Sequence, residues 1–368
     1  MKIPFVDLQA QYQNIKLEID GAMSSVMRDT AFVGGSGNKY IRKFESDFAS
    51  YLHVKHVISC ANGTDSLEIL LEAFEIGKNH EVIIPAISWI STSESVGRAG
   101  AKPVFVDVCA DTLLMDVNKV ESQINENTKA IIPVHLYGNP VNMEAIMLLA
   151  KKHNLIVIED CAQSHGATYR GKLVGTFGHA ASYSFYPGKN LGAYGDAGAI
   201  TTDNDTIATK CRMIANHGQL QKHTHVIEGR NSRMDGLHAA VLSVKLNYLN
   251  KWNSLRNEHA KTYAAKLAGS SVVLPVTNEH GTHVFHLFVV RTEQREQLKK
   301  HLEENGVETA IHYPQALPFI DAYKKFNYAA KDFPVAFAET KKILSIPMFP
   351  ELTDGQINRV TGLILSFK

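Results

Sequence analysis

From residue 54 onward short β-branched runs alternate with amphipathic stretches, and this alternation limits the fold more than any other feature of the chain. VKHVISCA, EVIIPA, KPVFVDV, KAIIPVHLY and LIVIEDCA read as strands, and ASYSF at 181–185 and AGAITTD at 197–203 continue the series. Nearly every position in these runs is apolar, which fits strands covered on both faces. The expectation is an α/β fold with a mostly parallel mixed sheet flanked by helices.

Past residue 235 the pattern changes. DGLHAAVLSVKLNYLNKWNSLRNEHAKTYAAKLAG reads as one long helix that stops at Gly269. Beyond it come a strand, HVFHLFVVR, a helix around EQREQLKKHLEEN, a strand, VETAIHY, and a final helix opened by a capping box of Thr353 and Gln356. At 368 residues the chain exceeds what one compact core serves. It divides into an N-terminal arm and large α/β domain over 1–250 and a smaller C-terminal α+β domain over 251–368.

Composition removes several classes of partner. A formal net charge of +1 gives no basic field to hold a polyanion, so no nucleic acid partner is expected. No run approaches the roughly 18 to 20 apolar residues of a membrane span, and no membrane association is expected. The opening MKIPFVDLQAQYQNIKLEID carries acids where a signal peptide needs an apolar core, which points to the cytoplasm. Cys60, Cys109, Cys161 and Cys211 are widely spaced and form no C-x-x-C pair, so they read as reduced core thiols. His217, His223 and His225 cluster in NHGQLQKHTH, but a polar loop suits them better than a metal site, and no metal is expected.

Three segments carry chemistry. In ASYSFYPGKNLGAYGDAGAI a strand breaks into a Pro-Gly turn and presents Lys189 before a run of glycines. A loop lysine is ordinarily a solvated charge, yet glycines permit the close backbone approach of a chain wrapping a ligand, and a lysine there can be tuned into a Schiff-base nucleophile. In ISCANGTDSLEILLEAF a helix starts near Thr64, and its free amides beside Gly63 form a phosphate cradle, although Asn-Gly-Thr-Asp is also an ordinary turn and N-cap. In LIVIEDCAQSHGA an apolar strand ends in Glu159 and Asp160, with Gln163 just beyond, at the edge where α/β sheets place ligands. An acid there either caps a loop or holds a pyridine nitrogen protonated, the electron-sink arrangement of pyridoxal phosphate. Trp89, in PAISWISTSESV, is either core or a cover for a flat ring.

In chain order, IPFVDL, FESDFASYL, NGTDSL, PAISW, VHLYG, EDCAQSHGA, SFYPGKNLGAYGDAGA, NHG, GRNSRMDGLHAAVLSVKL, AIHYP and LSIPMFPEL make the chain resemble the DegT/StrS family across essentially its whole length. These are fold-type-I enzymes that aminate nucleotide-linked keto sugars with pyridoxal 5'-phosphate (PLP), which passes through pyridoxamine 5'-phosphate (PMP) during turnover. The resemblance implies Lys189 as the catalytic Schiff-base lysine, Asp160 on the ring nitrogen, Gln163 near the ring hydroxyl and Trp89 as the stacking aromatic. Gly63, Thr64 and Ser184 fall at the phosphate-binding positions. It also implies a homodimer in which Asn231 reaches the phosphate of the other subunit, with Tyr186, His312 and Tyr313 near the sugar.

Tyr186 stands where the family often has histidine. Dehydratase relatives replace the lysine with histidine, so Lys189 favours amination. A PLP-binding regulator that lost turnover is the rival from outside the enzymes. The implied reaction takes the amine from L-glutamate, releases 2-oxoglutarate and serves surface-polysaccharide synthesis such as lipopolysaccharide O-antigen. Asn231-Ser232-Arg233, Asp235 and Lys245-Leu246 resemble the branch that aminates carbon 3. UDP-linked 3-keto N-acetylated sugars or uronates are favoured, with dTDP-3-keto-6-deoxyhexoses and amination at carbon 4 as the alternatives.

Overall fold

The structure, a computed structural model, describes residues 2–34 and 37–367. Seven strands form the main sheet: β1 (His56–Cys60), β2 (Glu81–Pro85), β3 (Lys102–Val106), β4 (Thr128–Ile131), β5 (Ile156–Asp160), β6 (Ala180–Ser184) and β7 (Gly198–Thr202). Their spatial order is β1-β7-β6-β5-β4-β2-β3. Only β7 is reversed, pairing antiparallel with β1 and β6, while every other neighbouring pair is parallel. The mostly parallel mixed sheet expected from the apolar runs is therefore present.

Several runs are shorter as strands than their composition suggests. KAIIPVHLY is a regular strand only through Ile131: Pro133 lacks an amide for the ladder, a single bridge then ties Val134 to Asp160, and the chain turns at Leu136–Gly138. The helices that matter for the site are α1 (Gly63–Ala73), α2 (Ser91–Arg98), α3 (Gly236–Leu246) and α4 (Leu249–Leu267). The single helix expected over 235–269 is thus two. Asn247 and Tyr248 donate three residues back, to Val244 and Lys245, and this tighter turn ends α3. Hydrophobic periodicity runs through such a break without recording it.

Two further departures occur in the last third. Of HVFHLFVVR only β8 (Phe288–Arg291) is a strand, paired with β9 (Ile343–Ile346). The earlier part turns away to the loop after β4, where Val284 donates to Gly138 and Leu287 to Tyr137. VETAIHY is not a strand: single bridges tie Val307 to Ile3 and Ala310 to Ser345, and the segment is otherwise irregular. The final helix, α6 once α5 (Arg295–Glu304) is counted, spans Asp354–Ser366 and carries the Thr353–Gln356 capping box.

Two hydrophobic clusters dominate the interior. The larger is built on the main sheet and also takes in Leu317, Phe333 and Ala336 from late in the chain. The smaller joins α4, α5, α6, β8 and β9. Ile3, fully buried, belongs to that second cluster: its amide donates to Gly306, and it accepts from the amide of Glu308. Among the described residues no helix is long and apolar enough to cross a membrane.

Candidate active site

Strands β1, β2, β4, β5 and β6 run in one direction, so their C-terminal ends share one edge of the sheet, where open α/β sheets bind ligands. The segments leaving that edge supply nearly every residue that the sequence singles out.

After β1, Asn62 caps α1 by accepting from the amide of Asp65 over 2.8 Å. The amides of Gly63 and Thr64 lie in the first turn, where a helix cannot satisfy them internally. Ser184, at the end of β6, stands directly against Gly63: a Cβ on Gly63 would lie 2.6 Å from the Ser184 Cβ. The Thr64 hydroxyl bonds Ser91 at the start of α2 over 2.7 Å. Free amides, helix dipole and a serine hydroxyl together make a cradle shaped for a phosphate.

Asp160, buried at the end of β5, accepts from the Thr92 hydroxyl over 2.9 Å and from the amide of Ala162 over 3.1 Å. Thr92 in turn pairs with Ser88 over 2.7 Å. Burial raises the carboxyl above its usual range, while these two donors and Lys189 oppose the rise. Lys189 keeps part of its surface open to the cleft, yet protein crowds its amine and lowers its pKa to about 8, with the Asp160 charge as the opposing influence. Burial, and after it the Lys189 charge, lowers His165, His286 and His312, so these rings stay neutral.

Gln163 has its amide orientation set by its partners. Its Oε1 accepts from the amide of Tyr137 over 2.6 Å, and its Nε2 donates to the Tyr313 hydroxyl over 3.0 Å. One N–H of that amide is left for a ligand. Tyr137 also donates to the backbone carbonyl of His312. Trp89 is 56% exposed, its ring 5.4 Å from that of Tyr313. His312 stacks on Phe5 at 5.6 Å and shares a hydrogen bond with Ser345 over 2.8 Å; burial, followed by Lys189, lowers it to about 4.

Tyr186 is exposed on the loop that presents Lys189. Asn231 is exposed as well, its backbone bridged to Asn216. Its neighbour Ser232 is fully buried and accepts from the amide of Ala61 over 3.2 Å, so this serine packs behind the cradle and cannot touch a sugar. Thr92, Tyr137 and His165 escape the sequence reading, although VHLYG and EDCAQSHGA contain two of them.

Among the described residues one trio of metal-ligating side chains falls within ligand range, His135, Glu159 and Cys161. Glu159 already accepts from His135 and from the amides of Gly175, Phe177 and Gly178, and His135 Nδ1 accepts from Val141. The group braces the backbone behind Asp160.

A phosphate cradle, a buried carboxylate for a ring nitrogen, a spare amide N–H, an exposed indole face and a partly deprotonated lysine fit PLP, and with this sheet they define a fold-type-I PLP enzyme. The chain belongs to the DegT/DnrJ/EryC1/StrS aminotransferase family, whose model matches residues 13–365. It is 45% identical over 370 residues to the pleiotropic regulatory protein of Geobacillus stearothermophilus, covering 100% of this chain and 99% of that one. It is 39% identical to dTDP-3-amino-3,4,6-trideoxy-alpha-D-glucose transaminase of Streptomyces venezuelae, covering 99% and 95%. With the UDP-N-acetyl-3-dehydro-alpha-D-glucosamine 3-aminotransferase of Acidithiobacillus ferrooxidans it shares 40% identity, over 98% and 97% of the two chains.

Among solved structures, S. venezuelae DesV in complex with a ketimine intermediate superposes with a TM-score of 0.96 at 39% identity, covering 99% of this chain and 97% of that one. A Bacillus subtilis relative with bound PMP gives a TM-score of 0.90 at 32% identity, covering 99% and 84%. Members of this family depend on PLP, and PLP is the cofactor of this chain.

Proposed function

We propose that this chain moves an amino group from L-glutamate to a nucleotide-linked 3-keto sugar, with a UDP-linked N-acetylated sugar or uronate as the favoured substrate. The observation that carries the reading is the coupling of Lys189, lowered to about 8, with buried Asp160 beside the Gly63–Ser184 cradle. Two relatives named for chemistry at carbon 3, one on a dTDP sugar and one on a UDP sugar, support the position of amination.

Bound PLP supplies an electron sink that lets an amine leave one carbon skeleton and join another. The protein supplies the rest. The amides of Gly63 and Thr64 and the Ser184 hydroxyl hold the phosphate, joined by Asn231 of the partner subunit in a homodimer. Asp160 keeps the ring nitrogen protonated, the free N–H of Gln163 binds the ring hydroxyl, and Trp89 covers the ring. Lys189 Nζ, near its midpoint at neutral to mildly basic pH, takes a proton from one carbon and returns it to another. Tyr186, His312 and Tyr313 line the sugar side. The site works in the cytoplasm, on sugars destined for surface polysaccharide.

The test is NMR analysis of products formed from 3-keto and 4-keto sugars carrying UDP or dTDP, with glutamate as donor. An amine at carbon 3 is expected, with the UDP sugar turned over faster. Amination confined to carbon 4, or failure to bind PLP, overturns the reading. The name of the G. stearothermophilus relative supports a regulatory role as a second reading, and the same assay decides it: bound PLP with no turnover on any keto sugar would favour regulation.

A further inference from the structure

Lysine is seldom buried outright, because its ammonium gives up water that the protein must replace. Lys245, in the last turn of α3, has no exposed surface. Its Nζ donates to the carbonyl of Gly192 over 2.8 Å and stands 4.2 Å from the centre of the Tyr194 ring. Both partners lie in the glycine-rich stretch that follows Lys189. In the sequence Lys245-Leu246 serves only as a branch marker; in the structure it is pressed against the loop that presents the site lysine.

That loop is closed on itself. Lys189 donates its amide to Tyr186 over 2.8 Å, and Ala193 donates to Phe185 over 2.7 Å. Gly192 folds so tightly onto Pro187 that a Cβ would come 2.3 Å from the proline carbonyl oxygen. Two side-chain hydrogen bonds fasten it to the helices α4 and α3. Asn190 is buried and donates to Asn253 on α4 over 2.8 Å, one residue beyond Lys189. Lys245 takes the Gly192 carbonyl three residues beyond. Losing that donor strands a buried carbonyl and loosens one end of the ring of backbone that sets where Lys189 points.

The setting keeps Lys245 available as a charged donor. Burial lowers it to about 8, and Glu351 opposes that. The Tyr194 face stabilises the cation, and Tyr12, hydrogen-bonded to Asp20 over 2.7 Å, packs edge-on against Tyr194.

We infer that Lys245 is a positioning residue for Lys189: bonded to Gly192 and laid against Tyr194, it fixes the loop that holds the Lys189 amine toward Asp160 and the cofactor. The inference rests on Lys189 being the lysine that PLP engages. Full-length wild type, Lys245→Met and Lys245→Gln are loaded with PLP. Borohydride trapping with peptide mass spectrometry, the pH midpoint of the visible band and the melting of the unloaded protein are then measured.

Lys245→Met is expected to fold, to form the band about tenfold more slowly on PLP addition, and to shift its midpoint by about half a unit or more. Lys245→Gln, which keeps a donor without the charge, is expected to fall between. A folded Met variant with wild-type rate and midpoint overturns the inference, because lost melting temperature alone marks a space-filling role. If the Met variant does not fold, the Gln variant decides by the same criteria. Should wild type trap no PLP on Lys189, the assignment of that lysine fails first, a result distinct from an unaltered variant.

Discussion

Thr92 donates its hydroxyl to Asp160 over 2.9 Å, and Ser88 bonds Thr92 from the other side, so the carboxylate at the end of β5 is oriented by a chain of hydroxyls from the start of α2. A buried carboxylate losing one such donor forfeits about 1.5–3 kcal/mol. Thr92→Val should therefore raise the Asp160 pKa further and slow turnover about tenfold or more, with little loss of PLP. Asp160→Asn should cost more, since a neutral amide cannot hold the ring nitrogen protonated. Stopped-flow rates of each half-reaction, alongside cofactor content, check both.

The second prediction concerns pH. A lysine reacts as the neutral amine, and Lys189 is lowered from 10.5 to about 8. The rate at which unloaded protein captures PLP should rise with pH and reach half its maximum near pH 8, more than two units below an ordinary lysine. Asp160 raises the Lys189 pKa, so in Asp160→Asn the midpoint should move lower still. A midpoint near 10 in wild type would contradict the burial seen here. Lys189→Ala should abolish borohydride trapping and cost about 10²–10⁴-fold in rate from the lost acid–base group alone.

Gly63→Ala tests the cradle. The added methyl would meet the Ser184 Cβ at 2.6 Å, where the start of α1 faces the end of β6. The helix start must shift, at a cost of about 1–3 kcal/mol, and PLP should dissociate at least tenfold faster as the amides of Gly63 and Thr64 move off the phosphate. Dilution from the loaded state, followed by the visible band, measures this. Gly171→Ala, with nothing within 4 Å of the new methyl but a φ of +75°, is the control for strain without crowding.

Complementation tests the shared site. Asn231 is exposed on its own chain, so Asn231→Ala should spare the fold while weakening PLP retention. When Lys189→Ala and Asn231→Ala chains are unfolded together and re-paired, each mixed dimer contains one intact site. Activity should return to about a quarter of the wild-type level under random pairing. No recovery would place Asn231 outside the active site of the other subunit.

The residues that could be read without the structure share a local signature. Asp160, Ser184 and Lys189 sit where an apolar run gives way to polar or glycine-rich chain, and the one-way direction of the strands then gathers those breaks at one edge. Thr92 and Lys245 carry no such mark, and Tyr137, which ends an apolar run, acts through its backbone amide, which no side-chain pattern reports. Thr92 lies on a short amphipathic helix, Tyr137 occupies a turn at φ 61°, and Lys245 sits within an unbroken helical pattern. Their partners, Asp160, Gln163 and Gly192, are distant in sequence and are set by packing alone. The same reasoning covers VETAIHY, whose β-branched residues suit a strand but whose neighbours offer it single bridges.

Ile3 is seated by Gly306 and Glu308, and Phe5 donates its amide to Glu308 over 3.2 Å and lays its ring on His312. Residues 3–5 thus wait for some three hundred later ones before their pocket exists, a long-range closure that slows final assembly and leaves an apolar arm exposed until then. A bulky fusion ahead of Ile3 would press on the stack that supports His312, so an affinity tag at the C-terminus is the safer design for measuring sugar recognition.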